Sequence, residues 1–238
     1  MRASEVVGRM QTMGDPERAR VSRSFFKTGP GQYGEGDVFA GLTVPQVRTL
    51  AKELRALALG EVVKLLRAPL HEARLLALLL LVQRYRTGDE VARERVYRLY
   101  LNNTRRINNW DLVDVSAEHI VGAHLWTRDR SVLDALAVSG LLWERRMAIL
   151  ATLHFIRRGA FADTLRIAER LVRDREDLMH KAVGWMLREV GKRDLAAEEG
   201  FLRTYAGTMP RTMLRYAVER FPVDARQHYM GLWKSVAR

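Results

Sequence analysis

The sequence predicts an all-α fold, an α-solenoid of stacked helix pairs, and three observations carry the prediction. From Thr43 onward nearly every segment has helical period, and none alternates convincingly with period two. Helix starts and stops are marked by capping residues and glycines. The more apolar member of each pair begins near His71, Asn109, Leu142, Glu176 and Pro210, so the pairs recur every 33 to 38 residues. A period in that range describes a stacked α-solenoid of the HEAT or TPR kind, in which each pair buries its apolar face only against its neighbours. Residues 1–238 are expected to form one such domain.

The elements are justified in turn. Thr43 and Gln46 make a capping box ahead of TVPQVRTLAKELRAL, and Asp89 is placed to cap EVARERVYRLY. Thr87-Gly88 stops LLALLLLVQRYR, Gly140 follows VLDALAVS, Gly159 follows LATLHFIRR, and Gly191 follows AVGWMLREV. In INNWDLVD, Asn108 or Asn109 is the expected cap. That puts Asp111 in the first turn, as an acid favoured by the helix dipole. Asp114 is expected in mid-helix, with Glu118 one turn on as a like-charged neighbour.

Composition narrows the function. A chain of 238 residues, 47% hydrophobic with six prolines, is globular and long enough to bury a core. The absence of cysteine excludes disulfides, thiol catalysis and thiolate metal sites. The N-terminal MRASEVVGRMQTMGDPERAR has no apolar signal core, and the longest apolar run, Leu75 to Val82, is too short for a bilayer. A cytoplasmic protein with no membrane partner is therefore expected. The stretch KTGPGQYGEGDVFAG lacks the Gly-Lys-Ser/Thr of a phosphate-binding loop and is read as an ordered loop carrying Tyr33 and Phe39. His119 and His124 are five apart and no HExxH occurs, so a metal-independent activity is expected. A formal net charge of +12 and a pI near 10.5 imply an anionic partner. Nucleic acid is favoured because each Lys or Arg that meets a phosphate releases counterions; a basic surface with no partner, or one for an acidic protein segment, is the alternative.

Overlaying the inner helices sets Arg74, Arg146, Lys181 and Arg215 in one column, with Asp114 taking that place in the remaining helix. The overlay predicts a concave basic groove holding one carboxylate. Trp110 precedes Asp114 by four residues and Trp185 follows Lys181 by four, so each indole shares a helix face with its column residue. Trp143 lies three before Arg146. Indoles beside a carboxylate in a cationic groove suit sugars and bases, while core packing is the other use of an aromatic at helical spacing. Arg146 is expected opposite Asp114. Leu150 and His154 continue down the Arg146 face to Arg157 and Arg158, cations suited to phosphates or simply to solvent.

FFKTGPGQYGEGDVFAGLTVP, INNWDLVD, WERRMAIL, HKAVGWMLREV and MPRTMLRYAVERFP together resemble the bacterial DNA alkylation repair family of AlkD type, HEAT-like DNA glycosylases, over essentially the whole chain. The resemblance implies a monofunctional glycosylase that excises cationic N3- and N7-alkylated purines from double-stranded DNA and needs no cofactor. It maps the catalytic carboxylate to Asp114, the sugar-contacting tryptophans to Trp110 and Trp185, and the groove arginine to Arg146. A further basic position falls near His154. The family's N-terminal aromatic falls at Phe25 or Phe26, without the hydroxyl of the characterised type. Arg74, Lys181, Arg211, Arg215, Arg157, Arg158, Lys27 and Tyr33 complete the expected DNA contacts. Some branches of the family bind DNA without excising bases, so a non-catalytic protein for damaged or branched DNA is the alternative. A solenoid of this length is expected to act as a monomer.

Overall fold

The computed structural model of the chain describes residues 1–232. Their regular secondary structure is helical, apart from one isolated parallel bridge between Val38 and Leu70. No helix among the described residues is long and apolar enough to cross a membrane. Internal contacts divide the chain into two compact units, Met1–Ile120 and Val121–Arg238.

The first unit contains α1 (Ala3–Thr12), α2 (Pro16–Phe25), α3 (Val44–Glu53), α4 (Leu59–Leu66), α5 (His71–Thr87), α6 (Glu90–Leu101) and α7 (Trp110–Asp114). The predicted caps are in place. The Thr43 hydroxyl accepts from the Gln46 amide at 3.4 Å while Gln46 Oε1 accepts from the Thr43 amide at 2.8 Å. Asp89 accepts from the Ala92 amide at 2.8 Å. Helices α1 and α2 lie ahead of the segment whose periodicity signals helix, and their start signals are local. Glu5 accepts from the Arg2 amide and from its guanidinium, both at 2.9 Å, and Asp15 accepts from the Arg18 amide at 3.0 Å with Pro16 opening α2.

Helix α5 organises this unit, packing against α3, α4, α6 and α7. It is apolar on all sides because neighbours surround it, and from His71 to Val82 only Leu79 is not fully buried. Its first turn therefore buries polar groups. Glu72 accepts backbone N–H groups from Ala40, Gly41 and Leu42 at 2.8 to 3.2 Å, which fixes the end of the Gly-rich loop. Gly41 has φ +85°, and a Cβ there would come within 2.1 Å of the Asp15 carbonyl. Only glycine fits that crossing.

The second unit contains α8 (Ala123–Leu125), α9 (Ser131–Ala137), α10 (Leu142–Ala151), α11 (Leu153–Ile156), α12 (Ala162–Leu171), α13 (Asp177–Gly191), α14 (Leu195–Tyr205), α15 (Arg211–Ala217) and α16 (Val223–Leu232). Helix α13 is its centre, touching α10, α12, α14 and α15. Helix α15 passes close to Gly184, where a Cβ would come within 2.4 Å of the Met213 carbonyl oxygen. The continuous periodicity of ERRMAILATLHFIRR is interrupted at Thr152. Its buried hydroxyl donates to the Ile149 carbonyl at 2.6 Å and its amide to the same oxygen at 3.2 Å, tightening the turn between α10 and α11.

Candidate functional site

The site grows from the short helix α7 in the first unit. Asn109 is its cap, accepting from the Trp110 amide at 2.9 Å, and Asp111 lies in the first turn as the spacing predicts. Asp111 also has a side-chain partner. Its Oδ2 lies 2.8 Å from His71 Nε2, so the carboxylate is held by a side chain as well as favoured by backbone dipoles. Asp114 differs from its expected mid-helix place: it is the last residue of α7. The Ser116 hydroxyl donates to the Leu112 carbonyl at 2.6 Å, and the helix gives way to a π-turn at Glu118–Gly122.

Behind α7 sits a buried polar cluster that sequence reasoning missed. His71 is 2% exposed and places its ring nitrogens on two carboxylates, Nδ1 3.0 Å from Asp37 Oδ2 and Nε2 on Asp111. Asp37 also accepts from Arg74 Nη2 at 2.5 Å, from Asn108 Nδ2 at 3.2 Å and from Asn109 Nδ2 at 3.1 Å. Burial would raise the Asp37 carboxyl, but the His71 hydrogen bond, the Arg74 charge and the Asn109 amide bring it down to about 2. Burial likewise opposes the His71 imidazolium. Hydrogen bonds to Asp111 and Asp37 outweigh it and hold the ring above the ordinary histidine value, although the nearby Arg74 charge works the other way. The missed signal lies in HEARLLALLLL, where three polar residues open a helix otherwise too apolar to face water.

Arg74 is accordingly corrected from the list of expected DNA contacts. It is 5% exposed and committed to Asp37 and the Pro69 carbonyl, so its charge balances a buried carboxylate instead of facing a phosphate. The expected outward direction fails because α5 is packed against α3, α4, α6 and α7.

In front of α7 is an open cavity of about 580 Å³. Trp110, Asp111 and Asp114 line one wall, and Phe25, Phe26, Val21, Leu42 and Val44 supply apolar surface. Phe26 stacks on Trp110 with centroids 5.5 Å apart and also meets Phe39 at 5.1 Å and His71 at 5.0 Å. Phe25 is 62% exposed and meets Trp110 edge-on at 6.0 Å. The Tyr33 hydroxyl donates to the Phe25 carbonyl at 3.3 Å, so the loop is ordered against the end of α2. Lys27, exposed beside it, takes the positive φ of 51° that reverses the chain there.

The second unit carries the other expected site residues. Arg146 is buried on α10 and donates from Nη1 to the Leu178 carbonyl at 2.7 Å. Trp185 and Lys181 are half-buried on α13, with Lys181 2.6 Å from Asp177. His154 is half-buried and packs edge-on to Trp126 at 6.1 Å. Arg157 and Arg158 are exposed, and Arg158 lies over the Trp126 ring at 5.5 Å. Arg211 and Arg215 are exposed on α15, the latter 5.9 Å from the Tyr216 ring.

No curated protein is a significant match to the sequence. Among solved structures, the chain is similar to one described as a predicted DNA alkylation repair enzyme from Enterococcus faecalis, at 17% identity and a TM-score of 0.67, covering 88% of this chain and 97% of that one. At that identity the likeness speaks for the fold. The family model described as DNA alkylation repair enzyme matches residues 6–221. With nearly its whole length matched, the chain belongs to the DNA alkylation repair enzyme family.

Proposed function

We propose that the chain is a monofunctional DNA glycosylase hydrolysing the N-glycosidic bond of cationic N3- or N7-alkylated purines in duplex DNA. The observation that carries this reading is the shared wall of Asp114 and Trp110 on an open, aromatic-lined cavity, in a family of alkylation repair enzymes. An alkylated purine already bears positive charge, so the C1′–N bond breaks with its electron pair neutralising the departing base. The deoxyribose is left as an oxocarbenium cation. A carboxylate beside it stabilises the charge and orients a water, whose oxygen bonds to C1′ while its proton passes to the carboxylate or to solvent. Asp114 takes that role. The indole faces of Trp110 and Trp185 add cation–π stabilisation as the charge develops, and Arg146 is assigned to the reacting nucleotide.

Lys181, Arg211, Arg215, Arg157, Arg158 and His154 are assigned to DNA phosphates, with Lys27, Tyr33, Phe25 and Phe26 contributing from the first unit. A formal charge of +12 supports that assignment through counterion release. No step calls for a cofactor or a metal, and the chain is proposed to act as a monomer in the cytosol.

The test is release of 7-methylguanine and 3-methyladenine from alkylated duplex DNA by the native chain and by Asp114→Asn. Release that falls about a hundredfold in the variant supports the reading. Equal release by both sinks it. Phe25 and Phe26, which carry no hydroxyl at the family's N-terminal aromatic position, favour a second reading: a non-catalytic protein for damaged or branched DNA. It predicts tight, salt-sensitive binding with no base released by the native chain.

A further inference from the structure

Helix α7 spans only five residues, too few for its own hydrogen bonds to fix its direction. What ties it down is therefore decisive for the two residues it carries to the cavity. Asn109, just before it, is anchored on Asp37. Within the helix, Asp111 Oδ1 has no hydrogen-bond partner among the described residues, so His71 alone ties that carboxylate. A second link runs through rings, with Phe26 packed against both His71 and Trp110.

We propose that His71 is a positioning residue for the candidate reaction: held between Asp37 and Asp111, its imidazolium sets the direction of α7 and hence of Trp110 and Asp114. The inference rests on the glycosylase reading for its catalytic consequence, but the positioning itself does not. An imidazolium donates from both nitrogens and can satisfy both carboxylates, whereas neutral imidazole carries one N–H and leaves one carboxylate facing a lone pair. Asp37 is fixed by Arg74, Asn108 and Asn109 as well. Loss of the proton therefore acts on the side with no other hold, which is Asp111. The charged groups around the ring are Asp37 from the loop, Asp111 from α7, and Arg74 from its own helix, one turn on. Glu72, next in sequence, directs its carboxylate to the Ala40–Leu42 amides. The remaining neighbours, Phe26 and Phe39, do not titrate.

The experiment reads the full chain in two ways between about pH 5 and 9. The first is Trp110 fluorescence, taken as the difference between the native chain and Trp110→Phe. The second is the single-turnover rate of 7-methylguanine release, with DNA affinity measured separately. A Trp110 step above the ordinary histidine range is expected. It should be absent in His71→Gln, which is neutral at every pH, and shifted to lower pH in Asp111→Asn, which removes the charge that favours the imidazolium. The rate should fall through the same step and be about tenfold lower and flat in His71→Gln, with DNA affinity nearly unchanged. If His71→Gln does not fold, the Asp111→Asn shift decides. A native Trp110 signal that is flat with pH, the same step in His71→Gln, or an unshifted step in Asp111→Asn overturns the inference, as does a rate that ignores the step. If the native chain releases no base but the step follows His71, the glycosylase reading fails and the positioning of α7 stands.

Discussion

His71 Nε2 and Asp111 Oδ2 lie 2.8 Å apart across 40 residues of sequence. The contact joins the first turn of the most buried helix of its unit to the first turn of the shortest helix beside the cavity. It makes one charge system of Asp37, His71, Arg74 and Asp111, two cations alternating with two carboxylates. Buried charges persist only when paired and hydrogen-bonded, and here each has an opposite charge within 3.0 Å.

Asp37→Asn is expected to destabilise the chain by about 3–5 kcal/mol, because the buried Arg74 guanidinium keeps its charge and loses its counterion. Urea unfolding near neutral pH measures the loss. The same carboxylate sets a pH dependence. Its folded value, about 2, lies below its ordinary 3.8, so its stabilisation is complete above 3.8 and disappears as pH falls through 2. The acid slope in that window should be weaker in the variant; an identical slope would count against the charge cluster.

Gly184→Ala tests the packing of α13 on α15. The added methyl would fall 2.4 Å from the Met213 carbonyl and 2.6 Å from Tyr216 Cβ, both in the facing helix. Backbone must move, so a loss of about 1–3 kcal/mol is expected despite the better helix propensity of alanine. A thermal melt that shifts upward would show that the helices have room to part.

These two positions show what the sequence discloses and what it hides. Gly184 falls inside HKAVGWMLREV, where periodicity places the helix correctly but cannot tell which neighbour needs the missing side chain. The caps at Thr43, Asp89 and Asn109 are legible because capping is settled within four residues. The placement of Trp110 and Asp114 on one cavity wall is consistent with their four-residue spacing. Arg74 is misread, and the second hold on Asp111 goes unseen, because their partners, Asp37 and His71, lie 37 and 40 residues away. No local rule links them. Helix α2 is strongly polar, so period gives little signal there, although Asp15-Pro16 marks a start that chemistry can read; α1 does bury Ala3, Val6 and Met10 at helical spacing.

Glu198 on α14 is 1% exposed, and its Oε1 has no hydrogen-bond partner among the described residues. Burial pushes its carboxyl up to about 8 against an opposing pull from Arg188. The folded chain therefore keeps a proton that the unfolded chain gives up above about 4.5, and stability should fall as pH rises from 4.5 to 8. Glu198→Gln removes the charge and should be the more stable form by roughly 2–4 kcal/mol at the top of that window, with little difference at its acid end. Denaturant midpoints of both proteins at the two extremes decide it; a native chain that gains stability across the window contradicts the assignment.

Phe25 and Phe26 are adjacent, yet they should respond differently to truncation. Phe26 packs against Phe39, His71 and Trp110, so Phe26→Ala is expected to cost about 3 kcal/mol of stability and to loosen the wall that carries Asp114. Phe25 is 62% exposed at the mouth of the cavity, so Phe25→Ala should change stability by no more than about 0.5 kcal/mol. Its effect should appear in DNA affinity, by about 1 kcal/mol or more if the ring meets a base or sugar. Parallel unfolding and DNA-binding titrations separate the two. Equal stability losses would mean that the exposed ring is part of the core after all, and unchanged affinity in Phe25→Ala would remove it from the DNA-contacting surface.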